Sequence, residues 1–495
     1  MPDPRAPVIV GAAQLQQRPK DPTTAREAVA LMTEVALSAA ADAGAPRLLA
    51  AADVVAVVNG AWSYRDPARI VADAVGATSA RTIRTTDGGN TPQLVVDVLA
   101  ERIAAGEIDV AVVVGAETIW SRRKLRTAGI ERAVTEQPED VTPDELLGKP
   151  LDMLSEHERA RGIIQPVEVY PLFESAIRHR RGETVDEHRD RIAAMWAGFN
   201  AVAAANPHAW SRTPMTAAEI RDPSPGNRMV AFPYTKAMCS NWFLDQAAAL
   251  ILCSEEAAER HAVARDRWVF VHGGAEADDT SYISNRAELG RSPAIAAAWS
   301  ALAADRGVGI DDVAHLDLYS CFPSAVEAAA EAIGLDPDGK DKARQLTVTG
   351  GLTFAGGPLN NYVTHSIATL VDLLRSDSTA LGLATANGGF LTKHALGLYS
   401  AQPPSTPFRR LPLTDDDVAH DTREAAPDHT GAVTIEATTV MHDHDGPSRA
   451  LFALLTTDGR RTFGSSNDAA LMKTAMTDEL CGTTADLDGD GTVRL

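Results

Sequence analysis

One pattern occurs twice in this chain of 495 residues, and it limits the folds open to it. In each copy a glycine-marked turn leads into an apolar-faced helix, then a polar turn, then an apolar strand ending in glycine. The first copy starts at Gly88-Gly89 and continues through a helix at 92–105, where Leu94, Val95, Val98, Leu99 and Ile103 recur at helical spacing. It closes with the strand Val110–Val114 and Gly115. The second copy starts at Gly350-Gly351 and continues through a helix at 360–375 with Ile367, Leu370, Val371 and Leu374 on one face. It closes with a strand at 380–385 and Asn387-Gly388-Gly389. Strands at 8–11, 54–58, 82–84, 268–271 and 315–319 alternate with helices at 24–43, 68–75, 294–304 and 323–333. That alternation predicts an α/β fold with parallel pairing and right-handed crossovers.

Composition narrows the function classes. Apolar residues make up 45% and charged residues 23%, the balance of a globular protein with a sizeable core. A formal net charge of −21 opposes a phosphate backbone, so no nucleic-acid partner is expected. No apolar run reaches the length of a membrane span, so no membrane partner is expected. The start Met1-Pro2-Asp3-Pro4-Arg5 lacks a secretory pattern. Cys239, Cys253, Cys321 and Cys481 show no Cys-x-x-Cys spacing, which points to reduced thiols, a cytoplasmic location and no bound metal.

The texture changes between the copies. Residues 120–230, with Trp120, Trp196, Trp210 and several prolines, read as an excursion covering one face of the core. Gln402-Pro403-Pro404-Ser405-Thr406-Pro407 reads as a linker. Beyond it, Val433–Val440, Arg449–Leu455 and Arg461–Phe463, with Asp445-Gly446 and Asp458-Gly459 turns, predict a small antiparallel β-barrel. The domains expected are an N-terminal half at 1–262, a C-terminal half at 263–402, a linker at 403–412 and a barrel at 413–495.

The glycine markers carry a family resemblance. Gly89-Asn90-Thr91-Pro92, the following helix, Ala105-Gly106-Glu107 and Gly115-Ala116-Glu117 match the layout Cys-x-x-Gly, helix, Ala-Gly-Glu, strand, Gly-Gly-x-Glu. Gly350 to Pro358 matches Gly-Gly-x-x-x-x-Gly-His-Pro, Tyr319-Ser320-Cys321-Phe322 matches His-Asp-Cys-Phe, and Ala386-Asn387-Gly388-Gly389 matches Cys-x-Gly-Gly. Asp245-Gln246-Ala247-Ala248-Ala249 is similar to Asp-Gly-Ala-Ala-Ala. The chain thus resembles the thiolase superfamily over residues 7–400, within the branch related to SCP2-thiolase. It is most similar there to actinobacterial thiolase-like proteins with an extra C-terminal domain. The resemblance implies a five-layer α-β-α-β-α fold, an acetyl-CoA acetyltransferase-like acyltransferase scaffold of lipid metabolism, and a coenzyme A thioester as substrate or ligand. It implies no permanently bound cofactor and a homodimer or monomer.

The same resemblance places every reactive position on a residue that cannot react as the family's does. Gly89 stands for the nucleophilic cysteine, Gly357 for the activating histidine, Ala386 for the second cysteine, and Tyr319 for the motif's histidine. Thiolase chemistry needs a thiolate and a neighbouring imidazole, so standard thiolysis is not expected. The candidate catalytic residues are Tyr319, Asn361 and His365, and the candidate substrate-binding residues are Gly89, Asn90, Tyr362, Asn387 and Gly388. Some relatives are acyl-CoA aldolases that use tyrosine and a zinc-ribbon/OB-fold partner, and the barrel expected here is OB-like without the zinc ribbon. A tyrosine-based C–C lyase and a catalytically silent acyl-CoA-binding scaffold are both open readings. Asn361 also fits a helix cap, His365 and Lys393-His394 fit packing or a solvated helix start, and Cys321 fits a small buried hydrophobe. Arg122, Arg123, Lys124 and Arg126 form a basic run suited to coenzyme A phosphates or to solvent. Asp486-x-Asp488-x-Asp490-Gly491 fits an exposed acidic turn.

Overall fold

A computed structural model describes residues 3–495 apart from 151, 337, 339 and 340. In it the repeated pattern becomes two strand sets of matching order. The first holds β1 (Pro7–Gln16), β2 (Val54–Val57), β3 (Arg81–Thr85), β4 (Val110–Thr118) and β5 (Asp245–Ser254), ordered β3-β2-β4-β5-β1. The second holds β6 (Val269–Asp278), β7 (Val313–Asp317), β8 (Leu381–Gly388) and β9 (Lys393–Ser400), ordered β7-β8-β9-β6. They join where Val8 and Ile9 of β1 pair with Phe270 and Val269 of β6.

The expectation of parallel pairing throughout is corrected. In the first set β3 with β2 and β2 with β4 are parallel, in the second β7 with β8 is parallel, and the next two pairs of each set are antiparallel. The reason is connection length. Only four residues separate β8 from β9, too few for a crossover helix. β5 follows the long excursion of 119–244, which frees it to enter in either sense.

Two buried helices lie between the sets, α3 (Thr91–Ala104) and α8 (Tyr362–Ser376), each packing against strands of both. On the outer faces lie α1 (Ala28–Asp42) and α2 (Pro67–Ala74) on one side and α6 (Pro293–Arg306) and α7 (Pro323–Ala332) on the other. Helix α3 presents Gln93 and Asp97, one turn apart, towards the second set. Gly274 and Gly397 are bare there; a Cβ at either would run into the Asp97 or Gln93 side chain. Gln93 accepts from the Tyr399 hydroxyl at 2.8 Å and donates to Asp97 at 2.8 Å. Burial pushes the Asp97 carboxyl well above its ordinary range, so it sits in the core as the neutral acid.

The excursion supplies α4 (Pro166–Arg181) and α5 (Val185–Ala205). Helix α5 starts on a reciprocal cap: Thr184 accepts from the Glu187 N–H while the Glu187 carboxylate accepts from the Thr184 N–H. Short strands at Met229–Ala231 and Tyr234–Thr235 then leave the excursion and pair at the edge of the C-terminal sheet, Ala231 opposite Met441. That sheet contains β10 (Gly431–His442), β11 (Pro447–Thr456), β12 (Arg461–Ser466), β13 (Thr484–Leu487) and β14 (Val493–Arg494), in the order β12-β11-β10-β13-β14. Where a barrel is expected the chain forms an antiparallel sheet, with no closing ladder among the described residues. A single parallel bridge, Ser465 with Thr492, joins its two edges, and the two-residue β14 is too short to build more. Within the expected linker, Arg410–Pro412 forms a strand beside β6 at Gly274–Glu276, beyond the point where β1 leaves it. No helix among the described residues is long and apolar enough to cross a membrane.

Arg461 ties the C-terminal sheet to the second half. Fully buried, it donates to both Glu436 oxygens at 2.6 Å and to the carbonyls of Ile283 (2.8 Å), Arg286 and Ala287 (3.3 Å). Arg461→Met strands the Glu436 carboxylate and these carbonyls. The expected loss is about 3–5 kcal/mol, read as a fall in the thermal unfolding midpoint, with Arg423→Met, at a half-buried neighbour, falling less.

Candidate active site

Three segments that are distant in sequence meet at the turn entering α3. The Gly88–Asn90 turn faces the end of β8 at Asn387-Gly388, and Tyr319, two residues past β7, closes over both. A Cβ built on Gly89 would strike the Tyr319 hydroxyl and lie 2.5 Å from the Asn387 carbonyl oxygen. The space of the missing side chain is therefore filled by a phenol. Gly388 lies against Gly88, where an added Cβ would be 3.2 Å from the Gly88 Cα and would strike Asn90 Oδ1. The structure thus brings together Gly89, Asn90, Tyr319, Asn387 and Gly388.

The remaining positions are also filled. Above Gly357, the Ser240 hydroxyl and Leu352 take the room an imidazole would need. Ala386 is buried in β8, opposite Ala395 of β9. Asn361 lies over bare Gly115 of β4 and accepts from the Thr364 hydroxyl at 2.7 Å. It ends the 3-10 turn Leu359–Asn361 that runs into α8, and its side chain makes no cap hydrogen bond. Its neighbour Asn360 accepts from the Gly88 N–H at 3.1 Å and donates to the Asn59 carbonyl and to Asp87, fixing the turn from the other side.

Two predicted residues face elsewhere. The Tyr362 hydroxyl donates to buried Asp317 at 2.8 Å and bonds Thr349 at 2.7 Å; its ring meets that of Tyr319 edge-on, centroids 5.7 Å apart. His365 bonds Gln14 at 3.0 Å beneath α8, and burial lowers its imidazole to about 3, so it is neutral. His394 bonds Asp279 at 3.1 Å, and Lys393 donates to the Pro150 carbonyl at 3.0 Å, so both are buried in polar contacts. In the basic run, Arg122 reaches the Ala61 carbonyl and Arg123 stacks 4.5 Å over Phe243. The acidic turn is paired by Arg494 on Asp488 at 2.8 Å.

One contributor was invisible in the sequence. Tyr170, on α4 of the covering excursion, donates to the Gly389 carbonyl at 3.0 Å and accepts from the Asn387 amide at 2.9 Å and the Leu391 N–H at 3.3 Å. Its ring stacks on Phe322 at 4.6 Å. Only contacts made after folding show this; no local motif surrounds it. The Cys321 thiol faces Tyr170 and Asn387, and burial pushes it up to about 12, so it is no thiolate at neutral pH.

The site holds unspent hydrogen-bonding capacity. Asn90 Oδ1, Asn387 Oδ1 and Asn361 Nδ2 are buried without partners, and among the described residues the Tyr319 hydroxyl has none. Burial, with Cys321 adding to it, pushes the Tyr319 phenol above its ordinary value, so it stays protonated and serves as a donor. Buried polar groups are otherwise nearly always paired.

A large mixed sheet in two matching halves, with reactive positions set at the same turns, defines a thiolase-type protein. No family model and no curated protein matches the sequence. Among solved structures, the SCP2-thiolase-like protein type 1 of Mycobacterium smegmatis, described as monomeric, is 30% identical over 100% of both chains, with a TM-score of 0.84. The Ltp2–ChsH2(DUF35) aldolase matches 81% of this chain and 99% of its own at 21% identity and a TM-score of 0.62. An acetyl-CoA acetyltransferase from Syntrophomonas wolfei matches 80% and 99% at 15% identity and a TM-score of 0.55. The chain belongs to the thiolase superfamily, in its SCP2-thiolase-like branch.

Two predictions follow from this geometry. Gly89→Ala forces a methyl group onto the Tyr319 hydroxyl and the Asn387 carbonyl, an overpacking expected to cost about 1–3 kcal/mol. Tyr319→Ala in the same chain frees that space, so the double variant should lose less stability than the two single losses added, as a double-mutant cycle in urea measures. Glu117 of β4 accepts from the Ala61 N–H at 2.8 Å, and burial raises its carboxyl to about 7. Between its ordinary pKa and 7 the folded chain holds a proton that the unfolded chain has lost, so stability falls as pH rises through that window. Glu117→Gln keeps the acceptor and removes the titration. Its melting temperature relative to wild type should rise from pH 4.5 to pH 8, by the equivalent of at most about 3 kcal/mol.

Proposed function

We propose that this protein binds a coenzyme A thioester at the Gly89–Tyr319–Asn387 site and does not carry out thiolase acyl transfer. The single observation behind this reading is that the Tyr319 hydroxyl fills the space a side chain at residue 89 would take and has no hydrogen-bond partner among the described residues. An acyl-enzyme would need a sulfur at residue 89, and neither Gly89 nor the protonated, buried Cys321 offers one. A thioester carbonyl needs donors, and the Tyr319 hydroxyl and Asn361 Nδ2 are uncommitted donors. The acetyltransferase and thiolase relatives support acyl-CoA as the ligand class.

Binding of acetyl-CoA and longer acyl-CoA esters, measured by calorimetry, tests this reading. Tyr319→Phe removes a buried hydroxyl without a partner, so stability should hold or rise while affinity falls about 2- to 10-fold. Acetyl groups recovered as a protein thioester after incubation with labelled acetyl-CoA would refute it.

A second reading, a C–C lyase acting on β-hydroxyacyl-CoA, draws on the same tyrosine. A donor at that position could hold the thioester oxygen as enolate character develops, and the aldolase named above shares the fold. The connectivity at 413–495 supports an OB-like unit: β10–β11–β12, helix α9 (Ala469–Thr477), then β13 and β14, with the Ser465–Thr492 bridge between β12 and β14. Aldehyde or ketone release from β-hydroxyacyl-CoA esters would favour the lyase; binding without release at every chain length would leave acyl-CoA binding alone.

A further inference from the structure

Away from Tyr319, a cavity of about 1110 Å³ opens between α5, the 342–348 segment and the outer face of α8. Its wall on α5 is a row of small residues at helical spacing, Ala194, Gly198, Ala201 and Ala205, with Phe199 and Leu346 giving it apolar sides. A second, much smaller cavity, about 10 Å³, lies deeper. Gln14, Asn206 and His208 border both. Among the described residues the His208 imidazole takes no hydrogen-bond partner, so it is the movable part of the partition.

The small cavity has a defined polarity. Gln14 Nε2 donates to the Thr369 hydroxyl at 3.0 Å, so its oxygen is what faces His365 Nδ1 at 3.0 Å. The hydrogen is therefore on Nδ1, and His365 Nε2 is an acceptor. Gln246 Nε2 donates to the Ala355 carbonyl at 3.0 Å and the His208 carbonyl at 3.3 Å, which leaves Oε1 as the second acceptor. Both acceptors are without partners, on side chains of residues only 6% and 2% exposed. The polar groups of Asn206 and Thr349 beside them are spent on other bonds. With the His208 ring turned aside, two free acceptors and no free side-chain donor remain, which selects a group that brings two hydrogens.

We propose that the large cavity is a second ligand site, for an amphiphile whose head is a primary amine or primary carboxamide. With His208 turned aside, the head donates to His365 Nε2 and Gln246 Oε1, and the apolar body lies along the small-residue row of α5. The assignment is independent of the Tyr319 site.

Calorimetric titration of the full-length protein with dodecylamine, dodecanamide and dodecanoate tests it, with the amine and amide separating a charged from a neutral head. The amine or the amide should bind at one site per chain, at least about tenfold more tightly than the carboxylate, which brings acceptors only. A Cβ on Gly198 meets nothing within 4 Å, so Gly198→Leu fills the cavity and favours the helix. It should weaken binding at least about tenfold with an equal or higher melting temperature. His365→Leu should erase the head-group preference. Equal affinity for all three heads, binding untouched by Gly198→Leu, or a crystal structure under saturating amine and amide in which the head group contacts neither acceptor would overturn the assignment.

Discussion

Tyr319 and Gly89 compete for one small volume, and the candidate site is arranged around that fact. A side chain at residue 89 overlaps the phenol at 319, so the two share the turn only if one is displaced. With the phenol in place, the turn leaves no open space for a side chain at residue 89 before any pKa is considered. Gly357 follows the same logic, with Ser240 and Leu352 filling the room above it.

The covering excursion holds this arrangement from above. Tyr170 anchors the 387–391 turn, and one helical turn further along α4 Glu174 enters a buried polar cluster. His188 lies 2.6 Å from Glu174 and 2.7 Å from Glu183, Arg191 reaches Glu327 at 2.5 Å, and Tyr234 bonds both Glu174 and Ser324. Burial and the neighbouring Glu174 push the Glu327 carboxyl well above its ordinary range, so a proton there relieves the repulsion between the two acids. Breaking such a network costs more than forming it gains, which gives α4 and α5 a single relative placement. The strands at 229–235 extend that placement into the C-terminal sheet, where Ala231 pairs with Met441.

The sequence made the scaffold legible because hydrophobic periodicity is local. Helix α3 and strand β4 are present close to where Leu94–Ile103 and Val110–Val114 put them, and the three long C-terminal strands follow their Asp-Gly turns. Pairing sense was not legible, because it depends on connection length in space: the four-residue β8–β9 turn and the long route into β5 override the strand–helix alternation. At the site, the glycine markers located the turns, and Tyr319 stands beside Gly89. Side-chain direction escaped, since Tyr362 and His365 occupy the first turn of α8 but their polar atoms turn to Asp317 and Gln14. Tyr170 could not be read at all, because its role exists only through contact with residues more than two hundred positions away.

The protonation state of Tyr319 limits what chemistry the site can support. A phenol raised by burial, with no cation beside it, gives up its proton poorly at neutral pH and is a weak general base. It is a strong choice as a fixed donor, since it needs no reorganisation when negative charge develops on a thioester oxygen. Any C–C cleavage here would therefore need its base elsewhere. The uncommitted oxygens of Asn90 and Asn387 accept hydrogen bonds but cannot take a proton, and the Cys321 thiol is held protonated. Around Gly89 the site thus presents uncommitted donors and acceptors, while the Asp87 carboxylate at the same turn accepts from Asn59 and Asn360.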